Sequence, residues 1–190
     1  MKEFNFKIPQ NVIFGKGCLA SLPGILKEAG ADTVFVISDP GLKRVGVVER
    51  VEKIISDAGV GYGVFLEVQP NPTIRMVHAA LDAYRRSGAA CIVALGGGSP
   101  MDVAKAVGIL ASHGGNINDY VGFQKVPGPI VPLIAIPTTA GTGSEVTASS
   151  VITDETTNYK MAVISYNIIP DYALLDPEMI MTYSDRKSVV

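Results

Sequence analysis

Leu95-Gly96-Gly97-Gly98-Ser99-Pro100-Met101-Asp102 is the stretch on which the fold of this 190-residue chain turns. The apolar run Cys91-Ile92-Val93-Ala94-Leu95 precedes it, and the helical pattern Val103 to Leu110 follows. A buried strand therefore feeds a glycine turn, and the turn feeds a helix. Glycines without a Cβ let a phosphate approach the backbone. The helix behind them presents unpaired N–H groups and the positive end of its dipole. A nucleotide is thus the leading ligand. A purely structural reading stands beside it: Ser99 as N-cap, Pro100 at the first helical position and Asp102 three residues after the cap form an acidic capping box. That reading accounts for Ser99, Pro100 and Asp102 but not for three consecutive glycines.

Outside this stretch, composition narrows the field. Apolar residues make up 47% of the chain, and 16 basic against 18 acidic side chains leave a net charge of −2. A sizeable core follows, and a folded rather than disordered chain is expected. No basic stripe suggests a nucleic-acid partner. No run of about 18 apolar residues suggests a membrane span. Met1 to Lys7 lacks the apolar core of a signal peptide, so a cytoplasmic protein is expected. Cys18 and Cys91 belong to no CxxC pair and read as free thiols. His78 and His113 have no partner at metal-ligand spacing and read as surface or packing residues.

Periodicity then lays out the elements. Phe4 to Phe14 reads as a β-hairpin around Pro9-Gln10-Asn11. Gly17 to Ala29, Val47 to Ala58 and Thr73 to Ser87 have helical spacing, the last capped by Thr73. Thr33 to Ile37, Val60 to Val68, Ile130 to Ile136, Thr147 to Thr153, Lys160 to Ser165 and Ala173 to Leu175 read as strands. Alternating strands and helices predict an α/β fold, Rossmann-like, with a mostly parallel sheet and helices on both faces. In such sheets ligands gather at the carboxyl ends of the strands.

Three loops at such ends carry chemistry: Ser38-Asp39-Pro40, Gly96 to Ser99, and Thr138 to Ser144. Asp39 is either a turn residue before Pro40 or a carboxylate for the ribose hydroxyls of an adenosine, which would favour NAD over NADP. The order is unusual, because the acid precedes the glycines. Thr138 to Ser144 offers hydroxyls and backbone N–H groups to a ligand, or is an ordinary small-residue loop. Lys160 either snorkels to solvent or neutralises a phosphate.

Several separated motifs are familiar. Gly96 to Lys105 resembles the glycine loop of the iron-containing (group III) alcohol dehydrogenases, and Pro137 to Thr147 resembles that family's second signature. Phe14-Gly15, Ser38-Asp39-Pro40, Pro70-Asn71-Pro72, Lys160-Met161 and Asp176-Pro177-Glu178 fall in the family's order. The resemblance implies an NAD-binding α/β domain over residues 1–180, with residues 181–190 starting the family's C-terminal all-helical domain, which is otherwise absent. It implies that Asp39 sits at the adenosine ribose, that Asn71, Gly97, Gly98 and Ser99 line the pyrophosphate, and that Asp102 approaches the nicotinamide. Thr138, Thr139, Thr142, Thr147 and Lys160 would complete the cleft, with Met179 at its edge.

Family members hold Fe2+ or Zn2+ through an aspartate and three histidines, all of which would fall beyond Val190. No catalytic or metal-binding residue is therefore expected in this chain, and an N-terminal fragment of a longer enzyme is expected over a naturally short relative. The complete enzyme would interconvert a small alcohol and its aldehyde or ketone. This chain alone would bind nucleotide without turnover. A homodimer through Phe4 to Ile8 is expected, with no nucleic acid and no membrane. A dehydroquinate synthase-like or glycerol dehydrogenase-like relative, or a non-catalytic NAD-binding module, is the alternative.

Overall fold

The structure, a computed structural model, describes residues 11–181. In chain order its elements are β1 (Asn11–Phe14), α1 (Leu22–Glu28), β2 (Thr33–Ile37), α2 (Pro40–Arg44), α3 (Val47–Asp57), β3 (Gly61–Phe65), α4 (Ile74–Ser87), β4 (Cys91–Gly96), α5 (Gly98–His113), β5 (Gly122–Phe123), β6 (Leu133–Pro137), β7 (Ser149–Asp154), β8 (Tyr159–Ile164), β9 (Tyr172–Leu175) and α6 (Pro177–Met181). Six strands form one sheet in the order β1-β9-β6-β4-β2-β3, with every pairing parallel. A second, mixed sheet has the order β5-β8-β7.

The central strands are apolar throughout because both of their faces are covered. Successive side chains point to opposite faces. Val34, Val36, Cys91, Val93 and Leu95 accordingly pack with the inner stripes of α1, α2 and α3, including Leu26, Leu42, Val51 and Ile55. Phe35, Ile37, Ile92 and Ala94 pack with α4 and α5 through Val77, Leu81, Val103 and Val107. Val47, Val48, Val51 and Ile55 give α3 its single apolar stripe. Truncating Ile55, which is fully buried, costs about 2–5 kcal/mol.

The strand order positions the site. From β2 the chain moves outward to β3, whereas from β4 it moves the opposite way to β6. The direction of winding reverses between β2 and β4. Helix α2 then leaves one face of the sheet and α5 the other, so a crevice opens between the carboxyl ends of these two strands.

Two expectations change. Gly17 to Ala29 is not one helix. It opens as a 3-10 turn over Cys18–Ser21 and becomes α-helical only at Leu22. Gly17 is left-handed there (φ 78°), and the Asp176 carboxylate takes the N–H groups of Gly17 and Leu19. The described half of the expected hairpin, Asn11–Phe14, is an edge strand of the main sheet, parallel to β9. Phe4 to Ile8 and residues 182–190 lie outside the described residues. Thr73 caps α4 as its sequence position predicts, accepting the Met76 N–H at 3.3 Å.

Candidate functional site

A cleft of about 530 Å³ opens at the crevice between β2 and β4. Asp39, Gly97, Gly98, Ser99, Thr138 and Thr139 line it, together with Pro40, Arg44, Val68 and Pro70. Three separated loops thus meet in one place, as their positions at strand ends require.

The glycine turn forms the floor. Strand β4 runs through Gly96, which pairs with Pro137 and accepts the Thr138 N–H at 3.0 Å. Gly96 has φ 147°, and a Cβ there would sit 2.6 Å from the Pro100 ring, so only glycine fits. A Cβ on Gly97 would meet Thr139 Oγ1 at 3.1 Å, and one on Gly98 would meet Ser144 Oγ at 3.4 Å. The second loop is therefore packed against the first.

Because β4 continues so far, α5 begins at Gly98 with Gly97 as its N-cap. This corrects the capping-box reading. Ser99, Pro100 and Asp102 lie inside the helix, and no side chain accepts a hydrogen bond at its cap. The N–H groups of the first turn face the cleft without an internal acceptor. An anion is the group that fits them.

Asp39 serves as the N-cap of α2, its Oδ1 accepting the N–H groups of Gly41 and Leu42 at 2.8 and 3.0 Å. The carboxylate thus has the local structural role that its place before Pro40 suggests. Both bonds fall on one oxygen, and the residue still lines the cleft beside Arg44. Just before it, the buried hydroxyl of Ser38 has no partner among the described residues.

Asn71 and Lys160, 89 residues apart, meet directly: the Lys160 ammonium donates to Asn71 Oδ1 at 2.8 Å. Asn71 is left-handed (φ 56°), a conformation asparagine tolerates. The β7–β8 hairpin docks on this same loop, where Thr153 N–H donates to Pro72 O at 2.8 Å and Arg75 pairs with Glu155 at 3.3 Å. Lys160 is exposed, as the snorkelling alternative has it, but its ammonium is engaged. Thr142 Oγ1 accepts the Ser144 N–H at 3.4 Å and shapes its own loop.

Asp102 lies beyond the cleft floor. Its backbone carbonyl accepts the Ser150 hydroxyl at 2.8 Å. Burial pushes its carboxyl up to about 6, against the pull of Lys105. Met179, expected at the cleft edge, is fully buried in the core that covers α1, α2 and α3. Helix α6 folds that face inward because the Asp176 carboxylate anchors its first turn through the Glu178 N–H at 3.0 Å.

Lys105 was not singled out in the sequence. It is fully buried, and its ammonium donates to the main-chain oxygens of Ser144, Thr147 and Ser149 at 2.8, 2.7 and 2.9 Å. Burial pushes its pKa down, against the pull of Asp102 and Glu145. Thr147 Oγ1 also lies 3.4 Å from this ammonium. One signal was available: a lysine in the middle of the apolar run Val103 to Leu110. Among the described residues no group of three or more His, Cys, Asp or Glu could hold a metal ion. No helix among them is long and apolar enough to cross a membrane.

Residues 9–177 match the family described as iron-containing alcohol dehydrogenase. The NAD-dependent methanol dehydrogenase of Bacillus methanolicus is 41% identical over 177 residues, which is 93% of this chain and 46% of that protein. An alcohol dehydrogenase from Oenococcus oeni superposes with a TM-score of 0.92 at 33% identity, over 95% of this chain and 48% of the other. A sulfoacetaldehyde reductase from Bifidobacterium kashiwanohense, solved in complex with NAD+, superposes at 0.85 with 35% identity, covering 95% and 48%. The chain spans about half the length of the curated relatives it matches.

Proposed function

This chain belongs to the iron-containing alcohol dehydrogenase family, and from that premise we propose that it forms the NAD-binding half of an enzyme that moves hydride between an alcohol and NAD. One observation carries the reading: α5 opens without a side-chain cap at the crevice where the sheet reverses its winding. Bound there, NAD supplies the hydride acceptor. The chain's own residues hold it in place. The N–H groups of Gly98 and Ser99 take the bridging phosphates, and the helix dipole offsets their charge. Asp39 receives the ribose hydroxyls and repels a 2′-phosphate. Asn71, fixed by Lys160, borders the pyrophosphate. Thr138 and Thr139 line the cleft beside the glycines, and Thr142 and Thr147, farther along the same loop, complete the contact with the cofactor. Asp102 lies toward the nicotinamide end.

The metal that gives the family its name would supply activation of the substrate oxygen in the complete enzyme. What this half contributes to rate is position, because holding the nicotinamide still removes much of the entropic cost of bringing two carbons together. The NAD dependence named for the Bacillus methanolicus relative supports the choice of cofactor. Calorimetric titration of the full chain with NAD, ADP and NADP tests the proposal. Binding of NAD and ADP with weaker NADP supports it, and the absence of NAD binding overturns it.

A further inference from the structure

Lys105 is fully buried, although lysine is among the residues least often found inside a protein. A buried ammonium is costly unless every donor is matched. Here the matching is complete: three N–H donors meet the main-chain oxygens of Ser144, Thr147 and Ser149, all within 2.9 Å. Between β6 and β7 the chain has no regular element of its own after Pro137. Its carbonyls 144 and 147 therefore lack the partners that a helix or sheet would supply. The ammonium takes that place with charge-assisted bonds, which are stronger than neutral ones.

The placement on the helix links this to the cleft. Gly98 and Lys105 both belong to α5, two turns apart, or roughly 10 Å along its axis. Ser144 is met at both ends. Its hydroxyl faces Gly98, and its carbonyl is bonded to Lys105. One rigid helix thus carries the floor of the cleft and grips the continuation of the loop whose Thr138 and Thr139 line it. Asp102 on the same helix and Glu145 on the gripped segment are the charges that act on the ammonium.

We propose that Lys105 is a positioning residue, a brace that fixes residues 144–149 against the glycine turn and so sets the width of the cofactor cleft. Its effect on binding rests on the function proposed above, whereas its effect on the loop does not. Lys105→Met keeps the length of the side chain and removes the three bonds. In the full chain it raises amide hydrogen exchange across residues 141–149 by about tenfold or more while β2 and β4 stay protected. NAD then binds about tenfold or more weakly, because that loop is no longer pre-organised. Lys105→Arg, which keeps the charge, restores part of both. Unchanged exchange across 141–149 in Lys105→Met overturns the brace. If the wild-type chain binds no NAD, the functional reading falls while the exchange comparison still decides this one. Should Lys105→Met not fold, 15N observation of the wild-type lysines decides instead. A slowly exchanging Lys105 ammonium supports the brace, and one exchanging as fast as the surface lysines overturns it.

Discussion

Two backbone turns in this molecule face the same problem and solve it in opposite ways. At the end of β9 the Asp176 carboxylate, fully buried, accepts the N–H groups of Gly17, Leu19 and Glu178 at 3.0, 3.1 and 3.0 Å. At the end of β4 the N–H groups opening α5 have no side-chain acceptor. The first turn carries its own anion. The second has none. Helices α2 and α4, which follow β2 and β3, resemble the first turn: Asp39 and Thr73 cap them. Helices α1 and α3 also open without a side-chain cap, so an open start alone does not mark a site. What sets α5 apart is its place in the cleft between β2 and β4, where the proposed nucleotide would complete it.

The comparison can be tested from both sides. Asp176→Ala should have the largest effect, since it removes the acceptor of three N–H groups, of which that of Leu19 is buried and left unpaired at about 1–3 kcal/mol. A loss of about 3 kcal/mol in urea unfolding is expected, with NAD affinity little changed in the fraction that stays folded. Gly97→Asp makes the open turn imitate the closed one. Gly97 has the extended backbone of an N-cap (φ −84°, ψ −156°), so an aspartate there can cap α5 from within. NAD affinity should fall about a hundredfold, or roughly 2.7 kcal/mol, while the melting temperature moves little because glycine is only a few tenths of a kcal/mol worse at a cap. A Gly97→Asp protein that still binds NAD at wild-type strength would remove the distinction between the two turns.

Asp39→Asn keeps the cap on α2 but removes the charge that repels a 2′-phosphate, leaving Arg44 in the same cleft. The ratio of NADP to NAD affinity should rise about tenfold, read by calorimetry. The smallest effect is on pH. Burial pushes the Asp176 carboxyl up, but the N–H groups of Leu19, Gly17 and Glu178, with the charge of Arg50, hold it below the ordinary 3.8. A lowered folded-state pKa means stability that is whole above about pH 4 and drains away as pH falls through the folded value. Urea midpoints from pH 7 to 2.5 should therefore decline less in Asp176→Asn than in the wild type.

The elements that build the sheet were legible because their signal is local. Runs such as Val34 to Ile37 and Cys91 to Leu95 are continuous and apolar, and Thr73 announces its helix at a fixed offset. The start of α5 was misread for an equally local reason: Ser99-Pro100-Met101-Asp102 satisfies the pattern of a cap, and nothing within the stretch reveals that β4 runs on to Gly96 in register with Pro137. The burial of Met179 was not legible because it depends on an anchor, Asp176, bonded to residues more than 150 positions away.

By itself the sequence determined that strands and helices alternate, that a glycine turn links one of those strands to a helix, and that three loaded loops lie at strand ends. Those follow from periodicity and from the lack of a Cβ, which are properties of neighbours along the chain. Only the tertiary structure decided that the three loops share one cleft, that Asn71 meets Lys160, and that Lys105 is buried and grips carbonyls 39 to 44 residues away. Those depend on strand order and on which polar groups burial forces to find partners, and neither is written in any single stretch.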